Sequence, residues 1–195
     1  MKTMLIFGAR GRSGNAVVAE AVARGIQVRA FDKKNPSAEE LSQAFVGVDA
    51  AVIAFGPRPP YTNIFCEEST KTIIRAMEAA GVRRLICVTG AMIGDYPRNR
   101  SFAFKLLSFA FRTKHPQGYE DRVKQEEIIK DSSLKWTIVK PPRLSMSEKS
   151  VPIQSGENIK IGLLSVLSRK TLAKFIIEEM LKPQYIKKAV FVKNT

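Results

Sequence analysis

The sequence has few of the residues that bind metal ions or form disulfides. Its 195 residues include two cysteines, Cys66 and Cys87, and a single histidine, His115. The cysteines lack the close spacing of zinc ligands, and one pair cannot build a disulfide scaffold. A chain of this length buries enough apolar surface to fold without such cross-links. These shortages argue against a metalloenzyme and against a disulfide-rich secreted protein.

Long apolar runs are also missing. The first run ends at Gly8 after a few residues, which is too short for a secretory signal or a membrane span. The run Ser101–Phe111 is interrupted by Lys105 and is far shorter than the ~20 residues that a span needs. We therefore expect a cytoplasmic protein without a membrane span.

Acidic residues are scarce relative to basic ones. The chain has 18 Asp and Glu against 32 Lys and Arg, a net charge of +14 that is spread along its whole length. Such a surface attracts phosphates, nucleic acids and anionic membranes. Because no basic tail carries the excess, we favour sites for anionic small molecules and do not expect nucleic acid as a partner.

Strands and helices alternate along the chain. Strands are predicted at Thr3–Phe7, Ile26–Phe31, Ala50–Phe55, Arg84–Thr89, Lys135–Lys140 and Lys188–Val192. Helices are predicted at Ser13–Arg24, Ser37–Phe45, Asn63–Ala80, Ser101–Arg112, Tyr119–Ser132 and Arg169–Leu181. Short apolar strands with intervening helices indicate a parallel sheet covered on both faces. We predict one doubly wound, Rossmann-like α/β domain over residues 1–195. A surface excursion at residues 145–162 is either a substrate lid or an ordinary long loop.

The strongest motif is a glycine-rich loop between the first strand and the first helix. Glycine lets the backbone approach a pyrophosphate, whose charge is then held by free N–H groups at the helix start. This predicts a dinucleotide site formed by Gly8, Arg10, Gly11, Arg12, Ser13 and Gly14. The alternative is a glycine-rich turn without a ligand.

The end of the second strand indicates which dinucleotide binds. Asp32 by itself favours the ribose diol of NAD. Lys33 and Lys34 follow it, and together with Arg10 and Arg12 they offer four cations to a 2′-phosphate. We therefore predict NADP rather than NAD as the cofactor. The alternative is that the lysines lie in a solvated turn.

Four further segments extend this pattern over nearly the whole chain: 54–58, 88–91, 134–143 and 168–173. In this order and spacing they resemble the atypical short-chain dehydrogenase/reductases, and most closely the NmrA-like and biliverdin-IXβ reductase/flavin reductase groups. Between Asp32 and Ala50 there is room for one helix only. The sheet is therefore expected to be one strand shorter than in those relatives.

The resemblance also implies positions around the cofactor. Phe55, Gly56 and Arg58 would lie beside its middle. Thr89 and Gly90 would lie beside the nicotinamide.

The far side of the nicotinamide would be closed by Pro142 and Arg143. Arg143, Arg122 and Lys124 would neutralise an anionic acceptor, and the two arginines with Thr89 are the candidates for the catalytic end of the site. For Thr89 the alternative is a strand-end cap, and for the arginines an exposed helix face or loop.

One expected feature of the standard dehydrogenases is missing. No Tyr-x-x-x-Lys occurs, so no lysine one helical turn away can lower the pKa of a catalytic tyrosine. Hydride transfer to a conjugated acceptor needs little acid–base help from the protein. We therefore expect an NADPH-dependent reductase of a flavin, quinone or tetrapyrrole-like small molecule. The alternative is an NADP(H)-sensing regulator that acts through a protein partner.

Residues 98–114 form an unusual segment with five basic residues, four phenylalanines and no acidic residue. Three interpretations compete: a helix that covers the core or a pocket, an interface for an oligomer or a protein partner, and a membrane-surface or nucleic-acid contact. The first is favoured.

Overall fold

The computed structural model describes residues 2–33, 36–147, 149 and 151–195. Its strands are β1 (Thr3–Phe7), β2 (Gln27–Phe31), β3 (Ala50–Ile53), β4 (Arg84–Val88), β5 (Lys135–Lys140), β6 (Arg143–Ser145), β7 (Ile153–Gly156), β8 (Val166–Ser168) and β9 (Lys188–Asn194). Its α-helices are α1 (Arg12–Ala23), α2 (Ala38–Phe45), α3 (Cys66–Ala79), α4 (Phe102–Lys114), α5 (Pro116–Asp131) and α6 (Arg169–Leu181). The predicted Rossmann-like α/β fold is confirmed.

The main sheet has seven strands in the order β2-β1-β3-β4-β5-β9-β7. Every neighbouring pair is parallel except β7 with β9. From β1 the chain goes to β2 on one side and then crosses to β3 on the other, so the strand order reverses beside β1. In an open α/β sheet, ligands bind in the crevice at the carboxyl ends of the strands where this reversal occurs.

Two apolar layers hold the sheet between helices. Met4, Ile6 and Val52 pack on the side of α1 and α6, whereas Leu5 and Ile53 pack on the side of α2, α3 and α5. Successive strand residues face opposite sides, so strands covered on both faces are apolar throughout. β2 forms one edge of the sheet, and in the described part of residues 32–49 the only element is α2. This arrangement agrees with the predicted loss of a strand there.

The excursion predicted at residues 145–162 contains more structure than a surface loop. Ile153–Gly156 pairs with β9 as the last strand of the main sheet. β6 begins just before the segment and pairs with β8 in a separate two-stranded sheet. Glu148 and Ser150 lie outside the described residues. The sequence of this segment is polar and contains glycine, so it does not show the apolar run of a buried strand. An edge strand can have such a sequence because one of its faces is open to water. The interpretation as a substrate lid stays a prediction.

Helix α4 does not behave as the core helix that we favoured. Phe104 and Ser108 are its buried residues, and most of the others are exposed. The helix therefore covers a small apolar cluster with Ala91, Ile161 and Phe191 through one face only, and most of its surface is open to solvent. Among the described residues, no helix is long and apolar enough to cross a membrane.

Candidate functional site

The predicted site residues follow strands that end at one edge of the sheet. Backbone bonds lock these strand ends together: Ala54 N–H donates to the carbonyl of Phe7 at 2.9 Å, and Thr89 N–H to that of Val139 at 3.0 Å. Gly8 follows β1 directly, and Pro142 lies just beyond β5. The fold thus brings segments from distant parts of the sequence to the crevice beside β1.

The outer glycines of the loop permit close backbone contacts. Gly8 has a φ of +81°, and a Cβ there would lie 2.8 Å from the amide nitrogen of Phe55. A Cβ on Gly14 would lie 2.1 Å from the carbonyl oxygen of Gly8, so only glycine lets α1 start this close to β1. Gly11 is the N-cap residue of α1, and its N–H donates to that same carbonyl at 2.9 Å.

The start of α1 is suited to an anion. Gly11 supplies no side-chain cap, and the first turn, which contains Arg12 and Ser13, has no acidic residue. By contrast, α2, α4 and α6 are capped by serine side chains. The first N–H groups and the positive end of the helix dipole are therefore available to a ligand. These features fit the pyrophosphate of a dinucleotide.

Arg169 is a candidate that the sequence reasoning missed. Its Nη1 donates to the carbonyl of Ser145 at 3.0 Å, while its Nε is buried and has no hydrogen-bond partner. Burial, and next the positive charge of Arg12, lower the pKa of Arg169. An anion at the α1 start would relieve this repulsion. An arginine in the first turn of α6, where acidic residues are favoured, is the signal that could have revealed it.

A cavity of about 480 Å³ lies where the ribose end of the dinucleotide is predicted. It is lined by Ala9, Arg10, Asn15, Val18, Ala30, Asp32 and Lys33. The backbone N–H of Arg10 donates to both carboxylate oxygens of Asp32, at 3.1 and 3.2 Å. The Arg10 side chain is 91% exposed. Lys33 is bound by Glu40 of α2, and its neighbour Lys34 lies outside the described residues.

Arg122 has a different place from the one expected. It is buried, and its guanidinium group donates to the carbonyl of Phe55 at 3.1 Å and to that of Val88 at 2.9 Å. A Cβ on Gly56 would lie 3.3 Å from its Nη1. The face of α5 that carries Arg122 packs on the sheet, which the helical pattern alone did not indicate. We therefore reassign Arg122 from acceptor binding to positioning the ends of β3 and β4.

The other predicted residues differ in their accessibility. Arg58 and Arg143 are exposed to solvent. Pro142 is buried, and Gly90 is partly exposed next to Thr89. The roles of these residues stay predictions.

A buried polar cluster lies directly behind Thr89. The Thr89 hydroxyl donates to Glu126 Oε1 at 2.6 Å, and the Tyr96 hydroxyl donates to Glu126 Oε2 at 3.1 Å. Lys140, at the end of β5, forms an ion pair with Glu126, and neither side chain reaches solvent. The sequence reasoning missed this cluster. Lys140, at the end of an otherwise apolar buried strand, is a partial signal for it, whereas Glu126 lies in a largely polar helix and gives none.

The cluster also explains why Tyr96 is not an activated tyrosine. Lys140 Nζ lies 4.4 Å from the centre of the Tyr96 ring, so a tyrosine and a lysine do meet in space. However, burial, and next the charge of Glu126, raise the pKa of Tyr96. Burial lowers the pKa of Lys140 to about 8, although Glu126 opposes this shift. Tyr96 therefore remains a neutral donor to Glu126.

Sulfur chemistry has no support at this site. Cys66 and Cys87 are both buried, and burial raises the pKa of each thiol to about 12. Among the described residues, no group of three His, Cys, Asp or Glu could hold a metal ion.

Residues 31–183 match a protein family described as NAD(P)H-binding. The chain belongs to this NAD(P)H-binding family. The match includes the ends of all the main-sheet strands from β2 to β5 and extends beyond α6. Membership confirms the expectation of a nicotinamide dinucleotide.

Solved structures of similar proteins confirm the fold of this family member. A protein assigned as an NAD-dependent epimerase/dehydratase from Bacillus halodurans has a TM-score of 0.79 and 22% identity, over 100% of this chain and 95% of that one. A short-chain dehydrogenase/reductase from Veillonella parvula, solved in complex with NADP, has a TM-score of 0.75 and 15% identity, over 98% of this chain and 94% of that one. A protein assigned as an NADH-flavin reductase from Streptococcus pneumoniae has a TM-score of 0.70 and 22% identity, over 100% of both chains.

Proposed function

We propose that the protein is an NADPH-dependent reductase that transfers a hydride to a flavin, quinone or tetrapyrrole-like acceptor. The observation that carries this proposal is the uncapped start of α1, which follows a close-packed glycine loop and has Arg12 and Arg169 beside it. Helix N–H groups and two guanidinium groups fit the pyrophosphate of a dinucleotide. The family match supports the same ligand class.

The basic groups at the ribose cavity favour NADPH over NADH. Arg10 is exposed although its Nε lies 3.9 Å from an Asp32 carboxylate oxygen, and Lys33 lines the same cavity. The Asp32 carboxylate accepts from a backbone N–H, so its charge is partly compensated and repels a 2′-phosphate less than a free carboxylate would. The V. parvula neighbour binds NADP on the same fold, which adds support.

The protein would mainly position the reactants. The bound cofactor supplies the hydride. Thr89 commits its proton to Glu126, so its oxygen can accept a hydrogen bond but the hydroxyl does not serve as the acid. Arg143 is exposed and can attract an anionic acceptor. Because Tyr96 is also bonded to Glu126, an acceptor that stabilises the added electrons by conjugation fits best. The reductase assignment of the S. pneumoniae neighbour supports a flavin.

One sample tests binding and turnover in sequence. NADPH is titrated with the purified protein until its fluorescence no longer changes. FMN, menadione or biliverdin is then added, and the fluorescence is followed over time. We expect enhancement on binding, followed by protein-dependent decay with at least one acceptor. Arg169→Ala should weaken NADPH binding, whereas Arg83→Ala, an exposed arginine at the opposite edge of the sheet, should not.

Two other outcomes would contradict parts of this proposal. Enhancement that persists with all three acceptors would contradict the reductase and favour the NADP(H)-sensing regulator. Absence of any enhancement with NADPH or NADH would contradict the assigned cofactor site itself.

A further inference from the structure

The outward face of α4 holds large apolar side chains in solvent. Phe102, Leu106 and Phe109 are spaced by four and three residues, so they lie on one face of the helix. They are 78%, 56% and 69% exposed. The opposite face packs on the protein through Phe104 and Ser108. A surface helix normally has a polar outward face, so this orientation needs another explanation.

A neighbouring loop enlarges this surface. Ser101 N–H donates to the carbonyl of Ile161 at 2.9 Å, which fixes the loop beside the start of α4. Leu163 and Leu164 follow shortly afterwards and are 53% and 94% exposed. We call Phe102, Leu106, Phe109, Leu163 and Leu164 the α4 patch. Exposed apolar side chains gathered in this way mark an interaction site.

Basic side chains flank the patch. Lys105 and Arg112 are exposed on one side of the apolar stripe, and Lys114 is exposed on the other. Arg100 does not contribute, because it is buried and donates to three backbone carbonyls. Residues 98–114 contain no acidic side chain. An apolar stripe between basic flanks is typical of helices that lie in the surface of an anionic membrane.

We propose that the α4 patch docks the protein onto an anionic lipid bilayer. A bilayer supplies an apolar layer for Phe102 and Phe109 and negative headgroups for the flanking cations. Nucleic acid fits less well, since leucine side chains cannot stack on bases and gain nothing beside phosphates. A second copy also fits less well, because each chain carries a net charge of +14 and the basic flanks would repel each other.

The test is co-sedimentation with vesicles of phosphatidylcholine, alone or mixed in equal parts with phosphatidylglycerol. We expect binding to the mixed vesicles only. The double variant Phe102→Ser/Phe109→Ser should lose about tenfold or more in affinity. Its control is Val22→Ser/Val46→Ser, which removes two apolar residues of comparable exposure from α1 and the end of α2.

A second pair of variants tests the charge. Lys105→Glu/Arg112→Glu should also lose binding, whereas Arg83→Glu/Lys182→Glu should lose much less for the same change in net charge. Binding that survives in the phenylalanine variant, or that falls equally in both charge variants, would overturn the proposal.

Parallel measurements separate the other partners. If duplex DNA binds and vesicles do not, the patch belongs to nucleic acid. If light scattering shows a dimer that the phenylalanine variant dissociates, and vesicles do not bind, it belongs to a second copy. Either result overturns the proposal. NADPH affinity of each variant is measured alongside, so a failure here is distinct from a failure of the reductase assignment.

Discussion

At the scale of single residues, the glycines of the loop have separate roles. Gly14→Ala places a Cβ against the Gly8 carbonyl and should lower the free energy of unfolding by about 3 kcal/mol. Gly11→Val should destabilise the fold much less, because φ at Gly11 is −71° and an added Cβ would lie 3.1 Å from the Gly8 carbonyl oxygen, but the side chain fills the space that a pyrophosphate needs. Urea unfolding and NADPH titration of both variants check this. Normal NADPH binding by Gly11→Val would contradict the site.

The ion pair between Lys33 and Glu40 should affect the preference for NADPH over NADH, because it holds the lysine that could contact the 2′-phosphate. The hydrogen bond from Lys33 lowers the pKa of Glu40, so the two side chains form a charged pair at the surface. Lys33→Glu should lower NADPH affinity roughly tenfold and leave NADH affinity nearly unchanged. Glu40→Gln releases Lys33 and should raise NADPH affinity. The dissociation constants of both cofactors decide the matter, and an equal loss for both would show that Lys33 does not contact the phosphate.

The buried Lys140 predicts a pH dependence of stability. Its pKa is lowered from 10.5 to about 8 by burial, against the opposing effect of Glu126 and with smaller lowering effects of Arg100 and Lys130. Between about pH 8 and pH 10.5 the unfolded chain keeps the Lys140 proton, whereas the folded protein has largely released it. The free energy of unfolding should therefore rise as the pH increases from about 8 towards 10.5.

The control for this prediction is Lys140→Met/Glu126→Gln, which removes both charges together and leaves no unpaired buried ion. Urea unfolding at several pH values should show a smaller rise in the double variant. An equal rise in both proteins would assign the effect to other groups.

Local motifs made part of the site predictable. The glycine loop and Asp32 lie at the ends of two adjacent strands, so sequence spacing alone placed them. The pair Glu126–Lys140 could not be found in this way, because it forms only when α5 packs back over the end of β5. Arg169 likewise comes close enough to feel the charge of Arg12 only through packing of a helix far along the chain.

At the scale of elements, periodicity predicted each main-sheet strand except β7. The short strands β6, β7 and β8 were missed because they are polar or brief and exist through pairing with partners far away in sequence. The start of α3 shows a related effect. Its helix was expected from Asn63 but begins at Cys66, where a side chain from α5 caps it.

That capping contact predicts a stability effect. The buried carboxylate of Asp121 accepts from the backbone N–H groups of Phe65, Cys66 and Glu67, at 3.2, 3.0 and 2.9 Å. Asp121→Ala leaves these donors without their partner and should cost about 2 kcal/mol of unfolding free energy. Asp121→Asn keeps one acceptor oxygen and should cost less. Urea unfolding of both variants measures this order, and a reversed order would refute the capping role.

At the scale of the whole molecule, the inward face of α4, opposite the α4 patch, lies beside the candidate site. Ser108 donates to the carbonyl of Met92 at 2.8 Å, and Phe104 belongs to the same buried apolar cluster as Ala91. Both contacts lie in the loop that begins at Thr89 and Gly90, beside the expected nicotinamide position. Docking through α4 would therefore bring this end of the site close to the bilayer, where an acceptor dissolved in lipid is concentrated.

This proximity gives the last prediction, which rests on both proposals. NADPH oxidation by a long-chain quinone should be faster when the quinone is held in anionic vesicles than in neutral ones. Phe102→Ser/Phe109→Ser should lose this advantage and keep its rate with soluble menadione, because the substitutions lie on the outward face of α4. If the variant keeps the advantage, docking does not deliver the acceptor. If it also loses the menadione rate, the substitutions have disturbed the site itself.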